Sequence, residues 1–327
     1  MSQLQKFLFD GLPVRGVAVR LTDAWQQILQ RRQAHAGNEA YPAPLMELLG
    51  EMAAGAVLMQ SNIKFNGALV LQLQGTGAVK VAVAEVQPSL ALRATATVTG
   101  DIPADATLAT MLNAQDGGRC AITLDPLDRL PGQQPYQGVV PLLDAHGQPL
   151  ADMGAVLEHY MRHSEQLDTT VVLAANGDVA AGLLLQRLPV QGAGNLAGTS
   201  GIGEQDTDDH EAYQRLAMLV QSLQRQELLD LDIDTILHRL FWNEKLLRFA
   251  PSPDEPVPHF ACNCSRSRVA AMLRGLGREE AEGILTEQGK VEVDCSFCGQ
   301  QYRFDAVEVT QLFMPEVRQP PVSRKQQ

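Results

Sequence analysis

Aromatic residues make up only 5% of the 327-residue sequence, and no apolar run is long enough to cross a bilayer. The purest apolar stretch, residues 53–59, is far shorter than the roughly 20 residues of a membrane-spanning helix. Residues 1–12 lack the apolar core of a secretion signal. We therefore expect a cytoplasmic protein with no membrane partner.

Positive charge is also scarce, with 26 Lys and Arg against 38 Asp and Glu and a net charge of −12. This deficit argues against broad binding to nucleic acid phosphates. At 45% hydrophobic residues the chain can bury a core, which excludes wholesale disorder, and we find no repeat of 20 to 50 residues that would indicate a solenoid. We expect a folded protein of more than one domain.

The N-terminal part alternates strand-like and helix-like segments and predicts an α+β domain over residues 1–189. Residues 42–63 are rich in Ala, Leu and Met and almost free of charge, which predicts a helix buried on most sides. Period-two patterns between turn residues predict consecutive strands that pair antiparallel. These strands are residues 14–21, 68–74, 78–86, 93–99, 120–124, 136–142, 169–174 and 181–188, with a helix at 152–165.

Residues 190–244 are expected to link this domain to the rest of the chain. The glycine-rich stretch 190–207 predicts a flexible loop, and Asp208 with Glu211 forms a capping-box pattern that predicts the start of a helix. A shorter helix is predicted at 235–241. The first helix carries one apolar face, which the strands of the N-terminal domain are expected to cover: Tyr213, Leu216, Ala217, Val220 and Leu223.

Residues 245–314 hold four of the five cysteines and are expected to form a small metal-binding domain. Short helices are predicted at 266–273 and 279–285, with a hairpin of 290–293 and 301–304. The Pro-containing tail, residues 315–327, is expected to be disordered.

The four clustered cysteines form two close pairs, Cys262-x-Cys264 and Cys295-x-x-Cys298. Four thiolates brought together in this way suit tetrahedral Zn²⁺, so we predict one zinc ion per chain in the reduced form. Gly299 permits the tight turn of a zinc knuckle.

Such an ion can be a structural staple or part of a redox switch. The Cys-x-Cys pair favours the switch, because each pair can close a local disulfide without dragging distant backbone together. Redox-active disulfides are therefore predicted between Cys262 and Cys264 and between Cys295 and Cys298.

Other residues give weaker signals. His259 is near enough in sequence to substitute as a metal ligand, and Arg266 and Arg268 are candidates for supporting the negative zinc–thiolate centre. Cys120 lies in a strand-like run and is expected to be a small buried hydrophobe.

Several motifs resemble the bacterial redox-regulated thirty-three-kilodalton heat-shock chaperones, a family of holdases. The resemblance implies an N-terminal α+β domain, a helical linker and a zinc-binding redox-switch domain, with oxidation producing an active homodimer. The C-terminal cysteine motifs are its most specific part. The motifs are Val14-Arg15-Gly16, Lys64-Phe65-Asn66-Gly67, Leu71-Gln72-Leu73-Gln74-Gly75, Tyr136-Gln137-Gly138-Val139-Val140, Ser164-Glu165-Gln166, Cys262-x-Cys264-Ser265 and Cys295-x-Phe297-Cys298-Gly299 with Tyr302 and Phe304.

Two features depart from the family pattern. Ser267 stands where the family usually has Glu, which changes the charge near the cysteines, and the glycine-rich stretch is longer than typical. Neither change touches a cysteine.

The resulting hypothesis is a non-enzymatic, ATP-independent chaperone whose partners are unfolded client proteins. Two alternatives remain open at this point. One is a thiol–disulfide oxidoreductase that uses Cys295 and Cys298, and the other is a zinc-ribbon module that binds nucleic acid or a protein partner through Arg266, Arg268 and Arg274.

Overall fold

The computed structural model describes residues 1–34, 40–129, 132–189, 202–250 and 255–314. The chain divides into two compact units, Met1–Cys262 and Asn263–Gln327. No helix in the described part of the chain combines the length and the apolarity of a membrane span.

The first unit contains two sheets and has the expected α+β composition. One sheet has five antiparallel strands in the order β10-β1-β2-β9-β8, and the other has six strands in the order β11-β5-β4-β3-β6-β7. The second sheet is mixed: β11 runs parallel to β5, and every other neighbouring pair of strands in this sheet is antiparallel. The strands are β1 (Gln3–Phe9), β2 (Val14–Leu21), β3 (Gly67–Gln74), β4 (Val79–Val86), β5 (Ala91–Val98), β6 (Arg119–Pro126), β7 (Tyr136–Pro141), β8 (Thr169–Ala175), β9 (Ala180–Arg187), β10 (Leu246–Arg248) and β11 (His259–Phe260).

Helix α2 forms the centre of this unit, as its uncharged sequence predicts. It contacts strands of both sheets and buries most of its length. Pro42 precedes its first turn, where a missing N–H costs nothing. The helices of the unit are α1 (Asp23–Ala34), α2 (Ala43–Asn62), α3 (Leu108–Leu112), α4 (Met153–His163), α5 (Ile202–Gln221), α6 (Arg225–Asp230) and α7 (Ile233–Phe241), with a 3₁₀ turn at Ala114–Asp116.

Helices α5, α6 and α7 cover the face of the five-stranded sheet that α2 does not. Leu216, Val220 and Leu237 are fully buried against Phe7 and Leu183, which confirms that the N-terminal strands cover the apolar face of the linker. A second cluster packs residues of α6 and α7 on β8 and β9.

Polar contacts also fix the linker helices. The Arg20 guanidinium donates to the carbonyl oxygens of Leu228, Leu229 and Leu231 at the end of α6, at distances of 3.1, 2.6 and 3.0 Å. These carbonyls carry the negative end of the helix dipole, so a cation suits them.

One expectation about the linker is wrong. Helix α5 begins at Ile202, before the predicted cap at Asp208, so residues 202–207 belong to the helix and not to a loop. The capping-box pattern does not mark the start of the helix here, because the residues before it also adopt helical backbone. The remainder of the predicted glycine-rich loop and the predicted disordered tail lie outside the described residues.

The second unit contains the predicted hairpin and helices. They are α8 (Arg266–Leu276), α9 (Arg278–Gln288), β12 (Val291–Asp294), β13 (Gln301–Phe304) and α10 (Ala306–Leu312). This unit begins later than the expected boundary at residue 245. Residues before it form β10 and β11, which pair with β1 and β5 of the first unit.

Glu51 gives the first unit a titrating group beneath the linker. Its side chain is 13% exposed and lies 3.4 Å from Arg225 at the start of α6, which also pairs with Glu47 at 2.8 Å. Burial raises the pKa of Glu51 to about 7, although Arg225 opposes the shift.

The pH dependence of stability follows from this shift. The unfolded carboxyl titrates near its ordinary value of 4.5, so the stabilisation from protonated Glu51 is complete below that value and is lost as pH rises through about 7. We expect the free energy of unfolding of the natural protein, relative to Glu51→Gln, to fall by on the order of 1 to 3 kcal/mol between about pH 5 and pH 8. Urea unfolding of both proteins measures this difference. A Glu47→Gln control should keep most of this pH dependence. Equal pH profiles for the natural protein and Glu51→Gln would contradict the assignment.

Candidate metal centre

The first cysteine pair lies on a short stretch between β11 and α8. Pairing of His259 with Ala91 and of Phe260 with Leu92 fixes the backbone just before Cys262. After Cys264, Ser265 caps α8 by accepting a hydrogen bond from the amide of Arg268 at 3.3 Å. The two thiols are therefore presented from a segment fixed at both ends.

The second pair lies in the tight turn that joins β12 to β13. The amide of Cys295 donates to the carbonyl oxygen of Gln300 at 3.0 Å, and the amide of Gly299 donates to the carbonyl oxygen of Cys295 at 2.7 Å. Gly299 has a φ of +71°, a left-handed conformation that favours glycine. This confirms the role predicted for that glycine.

The fold brings all four predicted ligands together. Their sulfur atoms lie within 4.8 Å of one another, and the Sγ atoms of Cys264 and Cys298 are 3.4 Å apart. Tetrahedral zinc with Zn–S bonds near 2.3 Å requires sulfur separations of about 3.8 Å. The donor set and its spacing therefore fit a thiolate-binding metal ion.

His259 is not part of this group. Among the described residues, the group of close metal-ligating side chains contains only the four cysteines. The Nδ1 atom of His259 instead lies 2.9 Å from the carbonyl oxygen of Val257. The four thiols are a complete tetrahedral set without it.

Among the described contacts, the Tyr302 hydroxyl and the Arg93 guanidinium donate hydrogen bonds to cysteine sulfurs. The Tyr302 hydroxyl donates to Cys264 Sγ at 3.2 Å, and this bond raises the pKa of Tyr302 to about 12. Arg93 Nη1 lies 3.7 Å from Cys262 Sγ, while its Nη2 pairs with Glu85 at 2.6 Å. Both donors stabilise thiolate over thiol.

Sequence analysis missed Arg93. It lies 169 residues before Cys262, and only the pairing of β11 with β5 brings the two side chains together. No local pattern marks it. Of the two arginines predicted to support the centre, Arg266 pairs with Glu308 at 2.6 Å and stacks over the Phe304 ring, and Arg268 lies in the first turn of α8. Their support of the thiolates stays a prediction.

Ser267 also has a local partner. Its hydroxyl lies 2.9 Å from that of Ser265, the cap of α8. A neutral hydroxyl at this position joins the cap, where a glutamate would place a negative charge beside the thiolates.

Cys120 is separate from the metal centre. It lies in β6 and is fully buried in the main core, and burial raises the pKa of its thiol to about 12. A thiol with that pKa and no solvent access reacts slowly with oxidants. The structure thus supports a packing role.

The described chain combines an α+β unit, a second, smaller unit and a group of four thiols that could hold a metal ion. The family model described as "Hsp33 protein" matches residues 2–305. The chain belongs to this family.

Curated relatives and a solved structure agree with this assignment. The chain is 45% identical to the "33 kDa chaperonin" of Chromobacterium violaceum, over 95% of this chain and 94% of the relative. It is 40% identical to the protein of the same name from Neisseria meningitidis serogroup A, over 95% and 91% of the two chains. The crystal structure of the 33 kDa chaperonin from Thermotoga maritima has a similar fold, with a TM-score of 0.69 and 18% identity, over 94% of this chain and 97% of that chain. Membership of the family supports a chaperone role.

Replacement of single cysteines tests the ligand set. We expect Ser at any of Cys262, Cys264, Cys295 or Cys298 to weaken zinc binding by at least about 100-fold, because removing a ligand opens the tetrahedral set. Competition with a chromogenic chelator measures the affinity. The matched control is Cys120→Ser, which should bind zinc normally. Loss of zinc in the control, or full affinity in Cys298→Ser, would show that the assignment is wrong.

Proposed function

We propose that this protein is a redox-regulated, ATP-independent holdase that binds unfolding client proteins during oxidative stress and is inactive while reduced and zinc-bound. Family membership supports the chaperone role, and the relatives are named chaperonins. The observation that carries the redox part is the grouping of four partly exposed thiols in two close pairs. We place the protein in the cytoplasm and assign it no enzymatic turnover.

The zinc ion is proposed to be held by Cys262, Cys264, Cys295 and Cys298. When bound, zinc keeps coordinating thiols deprotonated and ties distant segments of chain together. Tyr302 and Arg93 hold two of the sulfurs by hydrogen bonds.

Oxidation is proposed to proceed within each pair. One thiolate attacks an oxygen of hydrogen peroxide, which forms a sulfenic acid and releases hydroxide. The neighbouring thiolate then attacks that sulfur and displaces a second hydroxide, so that two thiolates, one peroxide and two protons yield one disulfide and two waters. Sulfur in a disulfide no longer binds zinc as thiolate does.

Loss of the metal should unfold the C-terminal unit. Zinc contributes on the order of 10 to 16 kcal/mol to the folding of small zinc peptides. A disulfide that closes only three or four residues contributes about 2 kcal/mol or less by loop entropy. Two such bridges do not join the halves of the unit and do not replace the ion.

The client surface is proposed to appear when the linker helices α5 to α7 leave the five-stranded sheet. Their docking buries apolar residues on both sides, including Phe7, Leu183 and Leu216. Undocking would therefore offer a large apolar surface, which is the property that recognises unfolded chains.

The proposed functional regions of the chain keep the boundaries expected from the sequence. Residues 1–189 form the domain for client binding and dimerisation, 190–244 the linker, 245–314 the redox-switch region and 315–327 a tail. The active form is proposed to be a homodimer.

An aggregation assay tests the function directly. Peroxide-oxidised, zinc-free protein should suppress the thermal aggregation of citrate synthase at near-stoichiometric ratios without ATP, and reduced zinc-loaded protein should not. Treatment with dithiothreitol and zinc should reverse the activity. Absence of protection by the oxidised protein would refute the proposal, while turnover of a disulfide substrate would favour an oxidoreductase.

Disulfide mapping tests the local pairing. Oxidised, active protein should contain bridges from Cys262 to Cys264 and from Cys295 to Cys298, because each pair is adjacent in sequence before the metal leaves. Peptide mapping by mass spectrometry identifies the pairs. A predominance of Cys264–Cys295 linkage in the active form would contradict the mechanism.

A substitution in the linker tests the docking step without touching a cysteine. Leu216 is fully buried against the sheet, and Leu216→Asp buries a carboxylate without a partner, which should cost more than the 2 to 5 kcal/mol typical of truncating such a leucine. We expect this variant to suppress aggregation partly while reduced and zinc-loaded. Light scattering and proteolysis after residue 190 measure the effect.

The same helix provides a matched control. Met218 is 63% exposed, so Met218→Asp should leave the reduced protein inactive. A folded, zinc-loaded Leu216→Asp protein with natural proteolytic resistance and no activity would show that the linker is not the cover.

A further inference from the structure

The outer edge of β5 is a strand edge that the protein closes with very little chain. In the six-stranded sheet, β5 pairs with β4 on one side, and on the other side its strand partner among the described residues is the two-residue β11. Farther along, the Tyr41 hydroxyl accepts a hydrogen bond from the amide of Ala96 at 3.0 Å. An uncovered strand edge is a ready template for another extended chain.

The segment that covers the edge, residues 255–261, contacts β5 through its backbone and β1 through a side chain. The amides of His259 and Ala261 donate to the carbonyl oxygens of Leu90 and Leu92, both at 3.2 Å. At its start, the Glu255 carboxylate lies 3.8 Å from the Lys6 ammonium group, and the two side chains are 42% and 34% exposed. We call residues 255–261 the docked segment.

Phe260 is the one large apolar side chain by which the docked segment enters the core. It is partly buried against the main cluster, next to helix α1, and the Arg31 guanidinium lies 5.9 Å from its ring centroid. Before it, residues 255–258 form one wall of a pocket of about 340 Å³ whose other lining includes β1 and the start of α7. The chain thus already shows what fits this surface: an extended strand with one large apolar side chain.

The rim of this surface contains an unusual backbone conformation. Leu90, which accepts the hydrogen bond from His259, is buried and has a φ of +57°. Leucine rarely adopts this left-handed conformation, which here closes the tight turn between β4 and β5, where the Leu90 amide donates to the carbonyl oxygen of Gln87 at 2.9 Å. Here it turns a carbonyl group toward the docked segment.

The docked segment runs directly into the metal centre. Cys262 follows Ala261, and Arg93 of β5 donates to its sulfur. In a disulfide with Cys264 that sulfur carries no negative charge, while Glu85 still holds Arg93. Oxidation therefore removes the contact at the end of the segment and frees the chain beyond it.

We propose that the edge of β5 with the Phe260 site is a binding slot for an extended segment of an unfolded polypeptide that carries a large apolar side chain, and that the docked segment occupies this slot until oxidation releases it. The partner would add a strand to the sheet through main-chain hydrogen bonds and insert its apolar side chain beside α1. This inference rests on the proposed redox function for its release step, but the slot itself does not depend on it.

The first experiment uses a fluorescein-labelled peptide of residues 255–261 and the full-length protein. Oxidised, zinc-free protein should bind the peptide at least about ten-fold more tightly than reduced, zinc-loaded protein, since the slot is then free. A peptide with Phe260→Ala should lose about ten-fold in affinity, as expected for an apolar side chain of this size, whereas Val257→Ala, at a position that is 55% exposed, should change it by about two-fold or less. Equal binding of all three peptides would overturn the proposal.

A second arm separates the slot from the redox mechanism. Reduced, zinc-loaded Phe260→Ala protein should bind the natural peptide in trans, because its own segment no longer fills the site, whether or not oxidation activates the chaperone. Hydrogen exchange of the natural protein should show faster exchange at the amides of His259 and Ala261 after oxidation, because these amides donate the hydrogen bonds to β5. If these amides keep their protection in natural protein that has lost zinc and suppresses aggregation, the proposal is overturned. This measurement does not depend on whether the Phe260→Ala variant folds. Dissociation of an oxidised dimer by the peptide would show that a second copy of this chain, and not a client, is the occupant.

Discussion

The C-terminal unit has only a very small apolar core among its described residues. Its described residues bury one small apolar cluster: Ala270, Leu273, Ala281, Val291, Phe304 and Val309. Ordering each residue of a chain costs about 1 to 2 kcal/mol of backbone entropy, which a core of this size does not offset. In the proposed function, a metal held by thiolates would supply the missing free energy, so chemistry that consumes the thiolates would also remove the fold.

The five-stranded sheet explains how loss of that fold can produce a chaperone. Its strands β2 and β9 carry buried residues on both faces, and nearly every residue of β9 is buried. Helix α2 covers one face permanently, whereas the linker helices cover the other with a single amphipathic face. Removal of the linker helices from this sheet would expose an apolar surface. In the proposed function that surface binds unfolded proteins without further rearrangement of the sheet.

The sequence predicts those features that depend on local patterns. Period-two strands, the uncharged α2 and the paired cysteines are all visible without the fold, since each follows from spacing within a short window. By contrast, β11 has only two residues, and its pairing with β5 depends on tertiary contacts. Arg93 could not be found for the same reason. The start of α5 was misplaced because a good capping pattern within a helix looks the same in sequence as one at its beginning.

In the proposed mechanism, an oxidant alone need not complete activation. The contacts that hold α5 to α7 on the sheet lie within the first unit, and none of the residues named in them is a zinc ligand. Each fully buried leucine among them contributes about 1.5 to 3 kcal/mol to docking, and short helices become marginal only when that packing is lost. Oxidation can therefore remove the C-terminal support while the linker remains docked, until heat or another unfolding condition weakens the remaining contacts. The proposed chaperone would then respond to oxidation and unfolding together, which are the conditions under which client proteins lose their own structure.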